Sequence, residues 1–296
     1  MNYRIGGHYV KIAAERGDET LEKLLPSFKP FETKDEKQGA VPFLNLSLQR
    51  SLKPVPQEQL RHITDADTGN GMIRVERTAE GAYQFTICNI SGTPCALLQT
   101  TNDFSHCRCA IRGDLGTKRF ALNGVMMLVY AFRGAQYDTL LIHASVVRHK
   151  GRAYAFTAAS GTGKSTQVFN WLNNIEGCDL INDDNPIVRF IDGKSVLYGS
   201  PWSGKTACYR NITVPLGAII KIERDTVNHV TPLLTLDAFG TLLTACSAIR
   251  TDEKVYGRLC DAVSKVVGSI TMATLHCLPD AASAETCRRY LEGEAE

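Results

Sequence analysis

The sequence predicts a two-part α/β protein. Residues 1–138 form a mostly β region ending in a helix, and residues 139–296 form a domain with a central sheet flanked by helices. Three observations predict this. Up to about Ala110 the apolar residues come in short or alternating runs, separated by loops rich in Gly, Asp, Asn and Pro, which is the spacing of strands. Residues 117–134 are apolar on most faces and close at Gly134, the pattern of a buried helix. From Thr139 onward, strand patterns alternate with helix patterns around a glycine-rich turn, the order of an α/β domain.

Taken in order, "YRIGGHYVKI", "PFLNLSLQ", "MIRVER", "YQFTICNI", "CALLQT" and "CRCAIR" supply the N-terminal strands. "TDADTGNG" and "SGTPC" are turn-forming loops between them. In the second part, "LLIHASVV" reads as a strand, "RHKGR" as a turn and "AYAFTAA" as the next strand. The helix "GKSTQVFNWLNNI" follows, and then "DLINDDNPIVRFI", a strand that breaks at an acidic pair. "LGAIIKIER" is a further strand, and "TLDAFGTLLTACSAI" and "EKVYGRLCDAVSKVVGSI" are helices. The chain closes with the strand "TMATLHCLP" and the helix "AASAETCRRYLE". The sequence contains no internal repeat and no low-complexity tract.

With 296 residues, 44% of them hydrophobic and 22% charged, the composition is that of a globular protein of about two domains. A formal net charge of +2 gives no support for a nucleic-acid partner. No apolar stretch is long enough to span a bilayer, and "MNYRIGGHYVKIAAERGDE" carries charges where a secretory signal has its apolar core. The expectation is a cytoplasmic protein with no membrane partner; a homo-oligomer is left open. Ten cysteines are scattered through the chain, and only Cys107 and Cys109 lie close together, beside His106. Paired C-x2-C ligands of a metal site are absent, so reduced, mostly buried thiols are expected.

The chemistry begins at "AASGTGKST", residues 158–166. In the phosphate-loop pattern, glycines let backbone N–H groups turn inward around phosphates, and the helix that follows aims its positive dipole end there. Ala158 stands at the first glycine position, but Ser160, Gly161, Thr162, Gly163, Lys164, Ser165 and Thr166 complete the pattern. Lys164 would reach the terminal phosphates, and the Ser165 hydroxyl would ligate Mg²⁺. Downstream, Asp183 and Asp184 end an apolar strand. A strand beside the loop strand would bring one carboxylate to the metal and, given a kink, the other to an attacking hydroxyl as proton acceptor. Asp183-Asp184-Asn185-Pro186 also has the composition of a plain turn. His143, alone in an apolar strand, reads as a core residue. In the loop 198–211, Lys205 or Arg210 would bring positive charge to the mouth of the site and Trp202 would stack on a base; an ordinary surface loop is the alternative. His229, Asp237 and the cluster Glu223-Arg224-Asp225 read only as solvated surface.

The order "H-A-S … SGTGKST … INDD" resembles the superfamily shared by the HPr kinase/phosphorylases and the phosphoenolpyruvate carboxykinases, strongly over residues 139–190 and loosely beyond. The close, "ATLHCLPDAASAETCRRYL", is similar to the ends of stand-alone HPr-kinase-like proteins, some of which accompany modified-peptide biosynthesis. The resemblance implies an HPr-kinase-like P-loop domain and an ATP- and Mg²⁺-dependent kinase that phosphorylates a hydroxyl. The acceptor would be a serine or threonine of a peptide or protein, or a small hydroxylated metabolite. It implies that Lys164 and Ser165 hold phosphate and metal, that His143 lies near the γ-phosphate, that Asp183 is the base and that Asp184 binds metal. The glycine- and arginine-rich stretches that grip HPr are missing, and carboxykinases are longer, with substrate motifs that have no counterpart here. A nucleotide-binding module without turnover, and a carboxykinase, are the competing expectations.

Overall fold

The structure is a computed structural model that describes residues 1–15, 19–34, 40–159, 161–247, 250 and 252–294. It is a mixed α/β protein with two sheets. The chain divides into two compact units, residues 1–133 with 249–256, and residues 134–248 with 257–296.

The first unit begins with β1 (Asn2–Ile5), β2 (His8–Ala14), the single turn α1 (Leu21–Leu24) and β3 (Leu44–Gln49). It continues with β4 (Leu60–Asp67), β5 (Met72–Thr78), β6 (Tyr83–Cys88), β7 (Pro94–Thr100), β8 (His106–Ile111) and α2 (Leu115–Ala135). The eight strands form one sheet in the order β1-β2-β3-β8-β7-β6-β5-β4, with β2, β3 and β8 mutually parallel. Burial alternates along β3, as the period of two in "LNLSLQ" requires. Helix α2 fastens to this unit through Tyr130, whose hydroxyl donates to Ile5 O at 3.0 Å, and Arg133, which donates to Phe43 O at 3.1 Å. The rings of Phe104 and Phe132 meet edge-on, 5.5 Å apart.

The polar face of the sheet is also organised. Ser47, Arg108, Gln99, Gln84 and Glu76 are register partners in succession across five strands. Arg108 donates to Gln99 at 3.1 Å, Gln99 to Gln84 at 3.2 Å, and Gln84 to Glu76 at 3.2 Å. Residues 53–57 are hydrogen-bonded to this row through Lys53 O, Val55 N and the Gln57 amide. Strand β4 runs partly through "TDADTGNG", which the sequence predicts as a loop. It is an edge strand with half or more of its residues exposed, so it lacks the apolar alternation that marks a strand.

The second unit contains β9 (Thr139–Leu141), β10 (Ser145–His149), β11 (Arg152–Thr157), α3 (Lys164–Asn174), β12 (Asp179–Asn182) and β13 (Ile187–Ile191). Then come β14 (Lys194–Tyr198), β15 (Thr213–Arg224), β16 (His229–Pro232), α4 (Thr235–Ala245), α5 (Glu253–Val267), β17 (Thr271–Cys277) and α6 (Ala281–Glu292). The division between units falls within α5. The strand order is β12-β10-β11-β15-β14-β13-β9, with β17 beside β15 and β16 beside β17. Strands β11, β15 and β17 are parallel. Phe156, Trp171, Ile220, Leu275 and Cys287 pack into one core between sheet and helices. Helices α3 and α6 are joined by Ser283, which donates to Gln167 at 2.8 Å, and by Asn170, which donates to Asp280 O at 2.7 Å.

Two expectations about this unit need correction. "LLIHASVV" is two strands: β9 pairs with β13 while β10 pairs with β11 and β12, so the apolar run changes partners at Ile142-His143-Ala144. Strand β12 does not lie beside β11, because β10 runs between them. Since β10 is antiparallel to both, β11 and β12 still point the same way, and the start of β10 meets the ends of both.

Candidate phosphate-binding site

Strand β11 is buried from Ala153 to Thr157, and its sheet pairing ends at Thr157, just before the glycine-rich loop. Gly161 has φ +77° and Gly163 φ +134°, backbone states that a side chain disfavours, and an added Cβ at either would meet nothing within 4 Å. Helix α3 starts at Lys164, so the amides of its first turn lack partners within the helix and point toward the loop. Arg224, at the end of β15, donates to Gly161 O at 2.7 Å and to Thr162 O at 3.2 Å. Arg224 is exposed, as a solvated surface residue should be, but parallel pairing of β15 with β11 also brings its guanidinium to the loop carbonyls. Ser160 lies outside the described residues. Thr166, with Thr162 and Gly163, lines a pocket of about 390 Å³ on the flank of the loop.

The Lys164 ammonium donates to Ala158 O at 3.3 Å. Burial lowers its pKa, and the carboxylates of Asp184 and Asp183 pull in the opposite direction. Those carboxylates follow β12, where the Asn182 side chain accepts from the backbone N–H groups of Asp184 and Asn185 at 3.0 and 2.9 Å. This side-chain turn supplies the kink that lets adjacent residues serve one place.

The two carboxylates have different partners. Asp183 is 6% exposed; its Oδ1 accepts from Ser145 at 3.0 Å and from Ser165 at 3.3 Å, and its Oδ2 from Thr206 N at 3.1 Å. Asp184 lies 3.2 Å from His143 Nε2 and accepts from the Asn185 amide at 2.6 Å. The structure thus brings Ser165 to Asp183, and His143 to Asp184. The backbone N–H of His143 donates to Ala245 O at 2.8 Å, and that of Ala144 to Asp184 O at 2.9 Å. The imidazole, 44% exposed, lines a cleft of about 810 Å³ with Thr157, Ala158, Lys221, Asp237 and Thr241. Asp237 is therefore a lining residue as well as a surface one.

The loop after β14 covers the acidic pair. Gly204 lies so close that a Cβ there would stand 2.8 Å from Asp183 O. Lys205 is exposed on this loop, next to Thr206. Arg210 is committed elsewhere: with Arg148 it binds Asp179, at 2.6 and 2.8 Å. Burial opposes ionisation of Asp179, but these two guanidinium groups outweigh it and hold its pKa below the ordinary value. Trp202 is 4% exposed and its carbonyl accepts from Asn182 at 3.0 Å, so its ring packs in the core and is not free to stack on a base.

His106, Cys107 and Cys109 do not converge. Strand alternation buries both thiols and leaves His106 exposed on the other face. Burial pushes the Cys109 thiol up to about 12. All ten cysteines are free. Among the described residues no helix is long and apolar enough to cross a membrane.

No protein-family model matches this chain, and no curated protein does. Among solved structures it is similar to the HPr(Ser) kinase/phosphatase from Coxiella burnetii, with 10% identity over 52% of this chain and 99% of that one, at a TM-score of 0.32. That likeness is weak, and the site rests on its own geometry.

Proposed function

We propose that this chain is an ATP- and Mg²⁺-dependent kinase that transfers the γ-phosphate to a hydroxyl acceptor. The observation that carries the reading is the 3.3 Å contact between the Ser165 hydroxyl, in the first turn after the glycine loop, and Asp183. A hydroxyl and a carboxylate are hard oxygen donors, which fit Mg²⁺. Ser165 and Asp183 would hold the ion, which when bound neutralises charge on the β- and γ-phosphates.

ATP would lie with its phosphates against the backbone of residues 161–166 and the Lys164 ammonium. Asp184 and His143 form the second pair, next to the cleft that would admit the acceptor. The acceptor oxygen attacks phosphorus, the bond to the β-phosphate oxygen breaks, ADP departs, and the acceptor proton passes to the Asp184–His143 pair. This exchanges the roles that the resemblance implies for the two aspartates. Asp183 is the buried, three-times hydrogen-bonded member, and Asp184 is the one paired with His143, which lines the cleft. The acceptor is a peptide or protein Ser/Thr or a small hydroxylated metabolite.

The test is mass spectrometry of a lysate, or of candidate acceptors, incubated with γ-labelled ATP and the protein. Label should enter a hydroxyl acceptor with wild type, and Lys164→Ala should abolish it. ATP binding without transfer to any acceptor would mean a binding module, and label transfer by Lys164→Ala would overturn the reading.

A further inference from the structure

Away from the glycine loop, one row of the sheet carries metal-ligating side chains on three neighbouring strands. Glu223 on β15 is the register partner of His276 on β17, and His276 is the register partner of His229 on β16. Partners directly opposite one another point to the same face, with Cβ atoms about 4.5–5.5 Å apart. The two imidazoles lie face to face, with centroids 4.4 Å apart and planes 7° apart. His276 Nδ1 is 3.7 Å from Glu223 Oε2 and 3.9 Å from Asp225 Oδ2. One ligand atom from each of Asp225, His229 and His276 lies within 4.8 Å of the others, a grouping found nowhere else among the described residues.

We propose that Asp225, His229 and His276 form a binding site for a divalent transition-metal ion of the Zn²⁺ class, with Glu223 as an adjacent carboxylate. Two imidazoles and one carboxylate select Zn²⁺, Co²⁺ or Ni²⁺ over Mg²⁺, which prefers oxygen alone. Bonds of about 2.0–2.2 Å place tetrahedral ligand atoms roughly 3.3–3.6 Å apart, so no pair has to close by more than about 1.5 Å around the ion. The rings turn out of their stack to do this. Their present hydrogen bonds are single and local: His276 Nε2 with Thr231 Oγ1 and His229 Nδ1 with Val227 O, both at 3.2 Å. Both side chains are partly exposed, which leaves room for that turn. The site shares no residue with the Ser165–Asp183 and His143–Asp184 pairs, and the proposal does not depend on kinase activity. It is not remote from the cleft, because Glu223 and Lys221 line that cleft from the same face of β15.

The experiment titrates the full chain with Co²⁺, followed by its d–d absorption, and then displaces Co²⁺ with Zn²⁺. The site predicts a spectrum of nitrogen and oxygen ligation, saturating at one equivalent and lost on adding Zn²⁺. His229→Phe and His276→Phe keep an aromatic pair across the strands but remove a ligand. Each should weaken binding by roughly tenfold or more while the metal-free unfolding midpoint stays near wild type. If a phenylalanine variant fails to fold, Asp225→Asn, which leaves the ring pair intact, should give the same weakening. Titrations unchanged in the variants, or a thiolate-to-cobalt charge-transfer band in place of the nitrogen and oxygen spectrum, would overturn the proposal.

Discussion

Asp183 and Asp184 are neighbours in the chain, yet one accepts from Ser165 and the other faces His143. The pair was legible from "INDD" as two carboxylates at a strand end; which one meets which partner was not. The turn made by the Asn182 side chain is local, but the partners that tell the two apart, Ser145, Ser165, Thr206 and His143, come from distant parts of the chain. The geometry separates two substitutions. Asp183→Asn should weaken Mg²⁺-dependent nucleotide binding by roughly tenfold or more, because an amide replaces an anionic ligand beside Ser165. Asp184→Asn should leave nucleotide affinity within a few-fold and slow transfer by about 10²–10⁴, the usual share of a general base. Titration with a fluorescent ATP analogue, with and without Mg²⁺, alongside a transfer assay, distinguishes these outcomes from the reverse assignment.

Among the elements, the break between β9 and β10 does most to place a functional side chain. The run "LLIHASVV" contains no Gly or Pro, so its pattern reads as one strand. The interruption at His143 exists because Ile142 N donates to Pro186 O, His143 N to Ala245 O and Ala144 N to Asp184 O, three acceptors distant in sequence. The covering loop is built as tightly. Gly204→Ala puts a methyl 2.8 Å from Asp183 O and should lift the loop from the acidic pair. We expect transfer to fall roughly tenfold, and crowding against a backbone oxygen to cost about 1–3 kcal/mol of stability. A kinetic assay paired with a denaturant melt checks both.

In the first unit, α2 is held by Arg133 against Asp103 at 2.8 Å. Burial raises the Asp103 pKa, but hydrogen bonds from Thr101 and Ser105, and the charge of Arg133, together bring it from 3.8 down to about 2. The folded protein therefore sheds this proton more readily than the unfolded chain does. The stabilisation is complete above the ordinary value of 3.8 and is lost as pH falls through about 2. Asp103→Asn should be less stable than wild type at pH 7, with the gap closing between pH 4 and 2 in urea melts.

For the whole molecule, the chain order matters more than either half alone. The sequence divides at 138, but the segment 249–256 returns to the first unit. Asp252 in that segment is 4% exposed and accepts from the buried Tyr83 hydroxyl at 2.5 Å and from Arg77 at 3.2 Å. It also accepts from the amides of Lys254 and Val255 at the start of α5, at 3.2 and 3.1 Å. Asp252→Ala leaves the Tyr83 hydroxyl without its acceptor and should cost about 1–3 kcal/mol in a denaturant melt. Tyr83→Phe alone should cost less, because it removes the donor and the need for an acceptor together.

By itself the sequence determined the mixed α/β class, most of the strands and helices of the second unit, and the glycine loop with its lysine and serine. All of these are encoded in short-range periodicity and in residue types that few backbone states tolerate. Only the tertiary structure decided that β10 runs between β11 and β12, that Arg224 supports the loop, and that Arg210 and Trp202 are engaged elsewhere. It also decided that Glu223, His276 and His229 share one row. These are matters of strand order and register, fixed by hydrogen bonds between residues far apart in the chain.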